Sequence, residues 1–497
     1  MTHKPTVGII GAGFSGICAA VQLKKQLGIT AQIFEASDDI GGTWYHNKYP
    51  NCACDVPSHL YSLSFELNPS WSQRYSSQQE IHEYLKGVAE KYDIYSQTSL
   101  NSKVVQATWI ENNRQWRLDV TDSRDEANSA TVYFDIIFVS VGSLRVARIP
   151  REFESFDGPI VHTAYWDSNM DFTDKRVAVI GSGASAVQTI PALAKVTKTL
   201  YSYQRTPAWI VMRKQRHYSD FAKSVFKWVP FAARLYRLWI FLQLEMLYIL
   251  FGYAQTFLGK LARNGLAAEM RNRIEKQGRA ELVPLLIPDY PPGCKRLIVS
   301  ENYLEALCQE NIVVERSPIK QIKGRTILTE DGKENEFDIL CLATGFDVQG
   351  FLGQLQVVGK NGQSLNELWR DKFPETYKSV LINGYPNLFM ILGPSSLLGH
   401  NSVVIMTECQ VNYAVQCIRN MIKRDIAAIE PTKEAQEAFV RDLKQRFEGT
   451  TWKGGCSSWY LNSQGEVTAL WSSTVIQFWW LLRKAPRFQD FTLYERP

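Results

Sequence analysis

No Cys-x-x-Cys pair occurs among the nine cysteines, and their odd number and scatter argue against a disulfide framework or a zinc knuckle. They read as reduced thiols in a reducing compartment, and no metal site is expected. Charge of one sign is also missing. With 55 basic and 50 acidic side chains the formal charge is only +5, and no Lys/Arg block is dense enough to track a phosphate backbone. Nucleic acid is therefore not an expected partner. Disorder and acidic tails are excluded by 21% charged and 45% hydrophobic residues, near the globular average. Met1 is followed within a few residues by the apolar run Val7-Gly8-Ile9-Ile10, so a secretion signal is not expected and a cytoplasmic location is. Only one apolar stretch, 238–259, is long enough to raise the question of a membrane. Glu245, Gln243 and Gln255 lie within it and Arg234 and Arg237 just before it, so a spanning helix is not expected. A helical insertion is, its apolar face over about 225–260 either lining a substrate route or resting on a membrane surface.

The 497 residues allow roughly three domains. The first begins with Gly11-Ala12-Gly13-Phe14-Ser15-Gly16, a G-x-G-x-x-G string between an apolar run and a helix-like segment. Gly11 permits the tight turn, Gly13 admits a pyrophosphate to the main chain, and Gly16 lets helix pack on strand. Another apolar run ends at Glu35, 24 residues on from Gly11, where a carboxylate can accept both ribose hydroxyls. Gly11, Gly13, Phe14, Ser15, Gly16 and Glu35 are thus candidate dinucleotide contacts.

The pattern recurs at Gly181-Ser182-Gly183-Ala184-Ser185-Ala186, with Gln188 one turn further on. Here the residue 24 positions on is Arg205, followed by Thr206. A guanidinium and a hydroxyl favour the 2′-phosphate of NADP, which a carboxylate would repel. The buried-looking strands within 135–142 and 338–345 close the two units. Two dinucleotides in one chain point to electron relay, with FAD in the first unit and NADPH as its reductant in the second.

Between the units, Phe156, Gly158, His162, Trp166 and Asp167 fill every fixed position of F-x-G-x-x-x-H-x-x-x-W-[PD]. This segment resembles the fingerprint of type I Baeyer–Villiger monooxygenases, class B flavoproteins related to the flavin-containing monooxygenases. The segment 41–55, including Gly42, Thr43, Trp44 and Asp55, resembles a second family motif, from which Asn51 departs. Asparagine tolerates positive φ, so a turn there survives. Ala343-Thr344-Gly345-Phe346 resembles the family's hinge segment.

The resemblance implies an α/β fold of two Rossmann-like domains, with an FAD domain formed by 1–147 and 342–497. It implies an NADP domain over 148–341, with a helical insertion at about 215–290. It implies NADPH- and O2-dependent conversion of a ketone to an ester or lactone through a C4a-peroxide of FAD. By that likeness Arg296 stabilises the peroxide, Asp55 pairs with Arg296 near the flavin, and Lys295 helps hold the 2′-phosphate. Tyr61 and Val104 match positions near FAD. His162 is ranked as a hinge organiser ahead of a general base, and Cys52 and Cys54 as packed thiols. The turn 393–402 resembles the loop whose following helix faces the flavin, and 455–460 a loop over nicotinamide, with Trp459 either its lid or a core side chain. The ketone, O2 and the two cofactors are the expected partners of a monomer or weak oligomer. The alternatives are sulfur or nitrogen oxidation, or a flavoprotein that binds NADPH without oxygenating.

Overall fold

In the computed structural model, which describes residues 4–455 and 457–496, the run before the first glycine string forms β1 (Val7–Ile10). All four residues are buried, as a strand covered on both faces requires. α1 (Phe14–Leu27) follows and stops at Gly28, whose φ of 65° lets its N–H bond back to the Lys24 carbonyl. β2 (Gln32–Phe34) returns parallel to β1, with Ile10 beside Phe34. On β1's other side lies Ile136–Val139, then Leu388–Met390 from the far end of the chain, while Thr98–Ser99 forms the opposite edge. The first parallel sheet therefore draws on segments separated by the whole second unit.

That unit repeats the plan with β3 (Arg176–Ile180), α2 (Ala184–Leu193) and β4 (Thr199–Tyr203), and Ile180 stands beside Tyr203 as Ile10 does beside Phe34. Its sheet runs Ile312–Glu315, β4, β3, Ile339–Leu342, Ile160–His162, parallel throughout. The fold is thus α/β with two Rossmann-like units. A four-stranded sheet not anticipated from the glycine strings, Ser102–Ile110, Gln115–Asp122, Ser129–Phe134 and Gln356–Val358, packs with Ile10, Phe34 and Leu388 of the first unit. Its Trp116 is buried and donates through Nε1 to the Pro386 carbonyl at 2.7 Å.

The insertion is helical: α3 (Asp220–Trp228), α4 (Ala232–Phe251) and α5 (Phe257–Glu275). The apolar stretch 238–259 is not one helix. The chain turns at Gly252, where a Cβ would meet the Tyr248 carbonyl at 2.6 Å, and Thr256 caps α5 by accepting from the Gly259 N–H. Among the described residues no helix is long and apolar enough to cross a membrane. Near the C-terminus, α6 (Val403–Arg424) packs on α1 and against α7 (Val475–Arg483).

Among the described residues seven cysteines are free and buried, but Cys294 is disulfide-bonded. The expectation of reduced thiols throughout is corrected there. Spacing along a chain does not reveal cysteines that folding brings together.

Candidate active site

The first glycine loop is built by steric exclusion. A Cβ on Gly16 would stand 1.9 Å from the Gly11 carbonyl, so α1 rests directly on the turn, and Gly11 itself adopts φ 100°. Gly42, at φ 56°, faces Gly13: a Cβ on Gly42 would lie 3.1 Å from the Gly13 Cα. Two bare stretches of main chain therefore oppose one another at the start of α1. Glu35 is buried, accepting from the Ala12 N–H at 2.8 Å and the Ser37 N–H at 3.0 Å. At the carboxyl ends of β1 and β2 a cavity of about 190 Å³ is lined by Gly11, Phe34, Val104 and Gly142, where ligands bind in sheets of this kind. A larger cavity of about 410 Å³, beside Trp369, Lys372 and Lys444, touches neither glycine loop.

Thr43 opens the short helix Thr43–His46 directly after Gly42. Within that helix Trp44 is buried and donates to the Tyr61 hydroxyl at 3.2 Å, and Tyr61 meets Phe14 edge-on at 5.3 Å. Ser15 Oγ lies 3.5 Å from Thr407 Oγ on α6.

In the second unit a Cβ on Gly181 would meet the Ala343 carbonyl at 2.4 Å, whereas a Cβ on Gly183 would meet nothing within 4 Å. Ala186 is fully buried, while Ala184 and Ser185 keep solvent contact at the start of α2. Ser182 donates to the Thr206 carbonyl at 2.5 Å, bracing the end of β4. Lys295, far away in sequence, comes to this end: burial first, and then the neighbouring Arg205 cation, hold its ammonium below the usual lysine range. Neither cation forms an ion pair among the described residues. Two like charges are thus brought together, with the Asp289 carboxylate also within electrostatic range of Lys295 and partly offsetting the lowering, and a concentration of cations of this kind attracts an anion. Gln188 does something different, since its amide is engaged by the Ala53 carbonyl and the Tyr49 hydroxyl, each at 2.9 Å. It latches α2 to the 49–55 segment, where Asn51 takes φ 60°.

That segment ends at Asp55, which receives both edges of the Arg296 guanidinium, Nη2 at 2.8 Å and Nε more closely. Arg296 Nη1 donates to the Leu398 carbonyl at 2.9 Å, in the turn that leads into α6. Three parts of the chain thus meet at one fork. Burial opposes the charge on Arg296, but the attraction and hydrogen bonding of Asp55 outweigh it and raise its pKa. Cys54 and Cys52 beside this pair are buried thiols, and burial pushes Cys52 up to about 12.

Tyr460 was not singled out from the sequence. It is fully buried, its hydroxyl without a hydrogen-bond partner among the described residues, 3.4 Å from where a Cβ on Gly399 would stand, and within electrostatic range of Arg296 and Asp55. Its neighbour Trp459 is 39% exposed, packs edge-on against Tyr460 at 4.3 Å, and accepts at its carbonyl from Gln349 at 3.0 Å. The lid segment expected at 455–460 includes Cys456, which lies outside the described residues. His162 is buried beside the 343–346 segment: Nδ1 accepts from the Ala164 N–H at 3.0 Å and Nε2 lies 3.2 Å from Thr344 Oγ. Burial lowers its pKa, and both nitrogens are engaged.

Residues 4–225 match the family model described as flavin-binding monooxygenase-like. A Baeyer-Villiger monooxygenase of Pseudomonas aeruginosa is 35% identical over 494 residues, 98% of this chain and 90% of that one. An oxidised steroid monooxygenase bound to NADP superposes with a TM-score of 0.84 at 27% identity, covering 99% of this chain and 100% of that one. The complex of OTEMO with FAD and NADP gives 0.84 at 26% identity over the same shares.

Proposed function

The chain belongs to the Baeyer–Villiger monooxygenases of the flavin-binding monooxygenase-like family, FAD- and NADPH-dependent enzymes, and from that premise we propose that it converts a ketone to an ester or lactone. The observation that carries this reading is the Arg296 guanidinium, forked onto Asp55 and tied to the Leu398 carbonyl where the two units meet. The main chain left bare at Gly13 and Gly42, and the open space above Gly183, fit the pyrophosphates of FAD and NADPH. When bound, the cofactors supply two electrons from NADPH and the activation of O2, one oxygen atom going to substrate and the other to water.

Everything else falls to the protein's side chains. Arg296 keeps its charge at any working pH and supplies a fixed cation where negative charge develops on oxygen, without reorganising at the moment of reaction. Asp55 holds that cation in one orientation. Tyr460, whose hydroxyl has no partner among the described residues, adds a donor on the same side of the site and helps exclude water. Glu35 orients the adenosine of FAD, with Phe14, Ser15, Thr43, Trp44, Tyr61 and Val104 shaping its surroundings. Arg205, Thr206 and Lys295 select NADPH through its 2′-phosphate, and Trp459 covers the nicotinamide. His162 couples the units mechanically and transfers no proton.

Incubating the purified holoenzyme with NADPH, air and a panel of linear, cyclic and steroidal ketones, with thioethers alongside, tests the reading. Ester or lactone formation with NADPH preferred over NADH is expected. Sulfoxide formation with every ketone untouched would refute it.

A further inference from the structure

The second helix of the insertion is apolar on both faces. α4 packs Ile240 and Tyr248 into the core together with two buried charges, yet it also carries a full apolar stripe toward water, where a surface helix on a globular core is ordinarily polar. Inward, Arg237 Nη1 donates to the carbonyls of His59, Leu60 and Ser62, each at 2.9 Å, and its Nη2 lies 3.7 Å from Glu408. Also inward, Glu245 accepts from Asn401 at 2.8 Å and pairs with His400 at 3.2 Å, in the turn that follows Leu398. Outward, Leu235, Leu238, Leu242, Met246 and Ile249 recur at helical spacing along one face, each about half exposed or more. Phe221 and Trp228 on α3 and Phe257 and Leu261 on α5 extend the apolar surface, Phe221 and Phe257 each being 79% exposed. Scattered apolar residues on a surface need no explanation, but a contiguous face does.

We propose that this outer face of α3, α4 and α5 docks on the interface of an anionic lipid bilayer, lying in the plane of the membrane rather than crossing it. Charge chooses this occupant. Between Phe221 and Arg263 the one carboxylate, Glu245, is buried and internally paired, and Asp220, exposed at the first position of α3, lies 3.8 Å from Lys223, so the exposed charges bordering the face, Lys227, Arg234 and Lys260 among them, are predominantly cationic. A second copy of the chain would bring the same cations against each other across a two-fold interface. An anionic headgroup layer attracts them while the apolar stripe enters the acyl boundary. Trp228 and Trp239, both exposed, are side chains that favour that boundary. Because no helix among the described residues is long and apolar enough to span, the contact is monotopic. The proposal is independent of the reaction assigned above.

The test is flotation of the full-length holoenzyme with vesicles of phosphatidylcholine alone and of phosphatidylcholine with phosphatidylglycerol, with light scattering to count subunits in their absence. The enzyme is expected to float with the anionic vesicles and less in high salt. Lys227→Gln with Arg234→Gln should weaken partitioning by roughly 20- to 30-fold, at about fivefold per cation. Leu238→Glu with Leu242→Glu should abolish it while leaving NADPH oxidation in solution unchanged. Wild-type enzyme that ignores anionic vesicles would overturn the proposal. So would a stable dimer that the Leu238→Glu, Leu242→Glu variant dissociates, since a second copy would then cover the face.

Discussion

Replacing Arg296 by alanine should separate folding from chemistry. The side chains of Arg296 and Asp55 are 25% and 24% exposed, so a carboxylate left without its partner can rehydrate. The roughly 3–5 kcal/mol for breaking a fully buried pair therefore falls to about 1–2 kcal/mol here. In a chain of this length that lowers Tm by no more than about 4 °C. The loss to catalysis is larger, because removing a preorganised electrostatic donor costs on the order of 100- to 1000-fold in kcat. Arg296→Lys should not restore the rate: an ammonium cannot fork onto Asp55 and also reach the Leu398 carbonyl with a planar edge. Asp55→Asn keeps the cation and one acceptor, and should lose about tenfold. The assay is ester formed per NADPH consumed, with hydrogen peroxide measured alongside and a melting curve on the same preparation. Continued NADPH oxidation with peroxide release and little ester is the expected pattern. Ester formation by Arg296→Ala within tenfold of wild type would refute the reasoning.

Gly183→Ala, which has open space for its methyl group, should leave Tm unchanged yet raise the NADPH KM, whereas Gly16→Ala, with a Cβ 1.9 Å from a carbonyl, should lose flavin or fail to fold. Equal melting losses in the two variants would count against the reading of both loops. Arg205→Ala should reduce the NADPH over NADH preference by about 10- to 100-fold, the worth of one charge-assisted contact; an unchanged ratio of kcat/KM values would remove Arg205 from the 2′-phosphate site. Lys295 has a lowered pKa, so its charge is lost at lower pH than for an ordinary lysine and the NADPH KM should rise as pH climbs through that value. Arg205→Ala takes away one cause of the lowering, so the rise should move to higher pH; movement to lower pH would contradict their proximity. Tyr460→Phe removes a hydroxyl that satisfies no protein group, and should leave Tm equal or slightly higher while ester formed per NADPH falls. A lower Tm with unchanged coupling would make Tyr460 a packing residue only.

The features legible in the sequence are those that backbone sterics impose locally. Gly11 and Gly16 exist because nothing larger fits, and the equal spacing from each glycine string to Glu35 and Arg205 reflects one strand–helix–strand plan used twice. The pairing of Arg296 with Asp55 was legible only through likeness to a family, since the two are far apart in the chain and neither neighbourhood names the other. Other features were hidden because they arise from tertiary packing. Lys295 reaches Arg205 across the second unit, Gln188 spends its amide on Tyr49 and Ala53, and the Tyr460 hydroxyl is distinguished by lacking a partner, which no spacing encodes. The sheet containing Trp116 lacks the glycine punctuation that marks the parallel sheets. In α4 the apolar stretch was visible, but that Arg237 and Glu245 turn inward was not, because composition does not say which face of a helix the core takes.

The most direct test of the central claim is isotopic. A turnover with ¹⁸O2, NADPH and a ketone that the enzyme accepts should give an ester or lactone carrying one heavy oxygen atom, in a one-to-one ratio to NADPH consumed, the other oxygen atom appearing in water. NADPH consumption that yields only labelled hydrogen peroxide, or a product whose inserted oxygen is unlabelled, would contradict it.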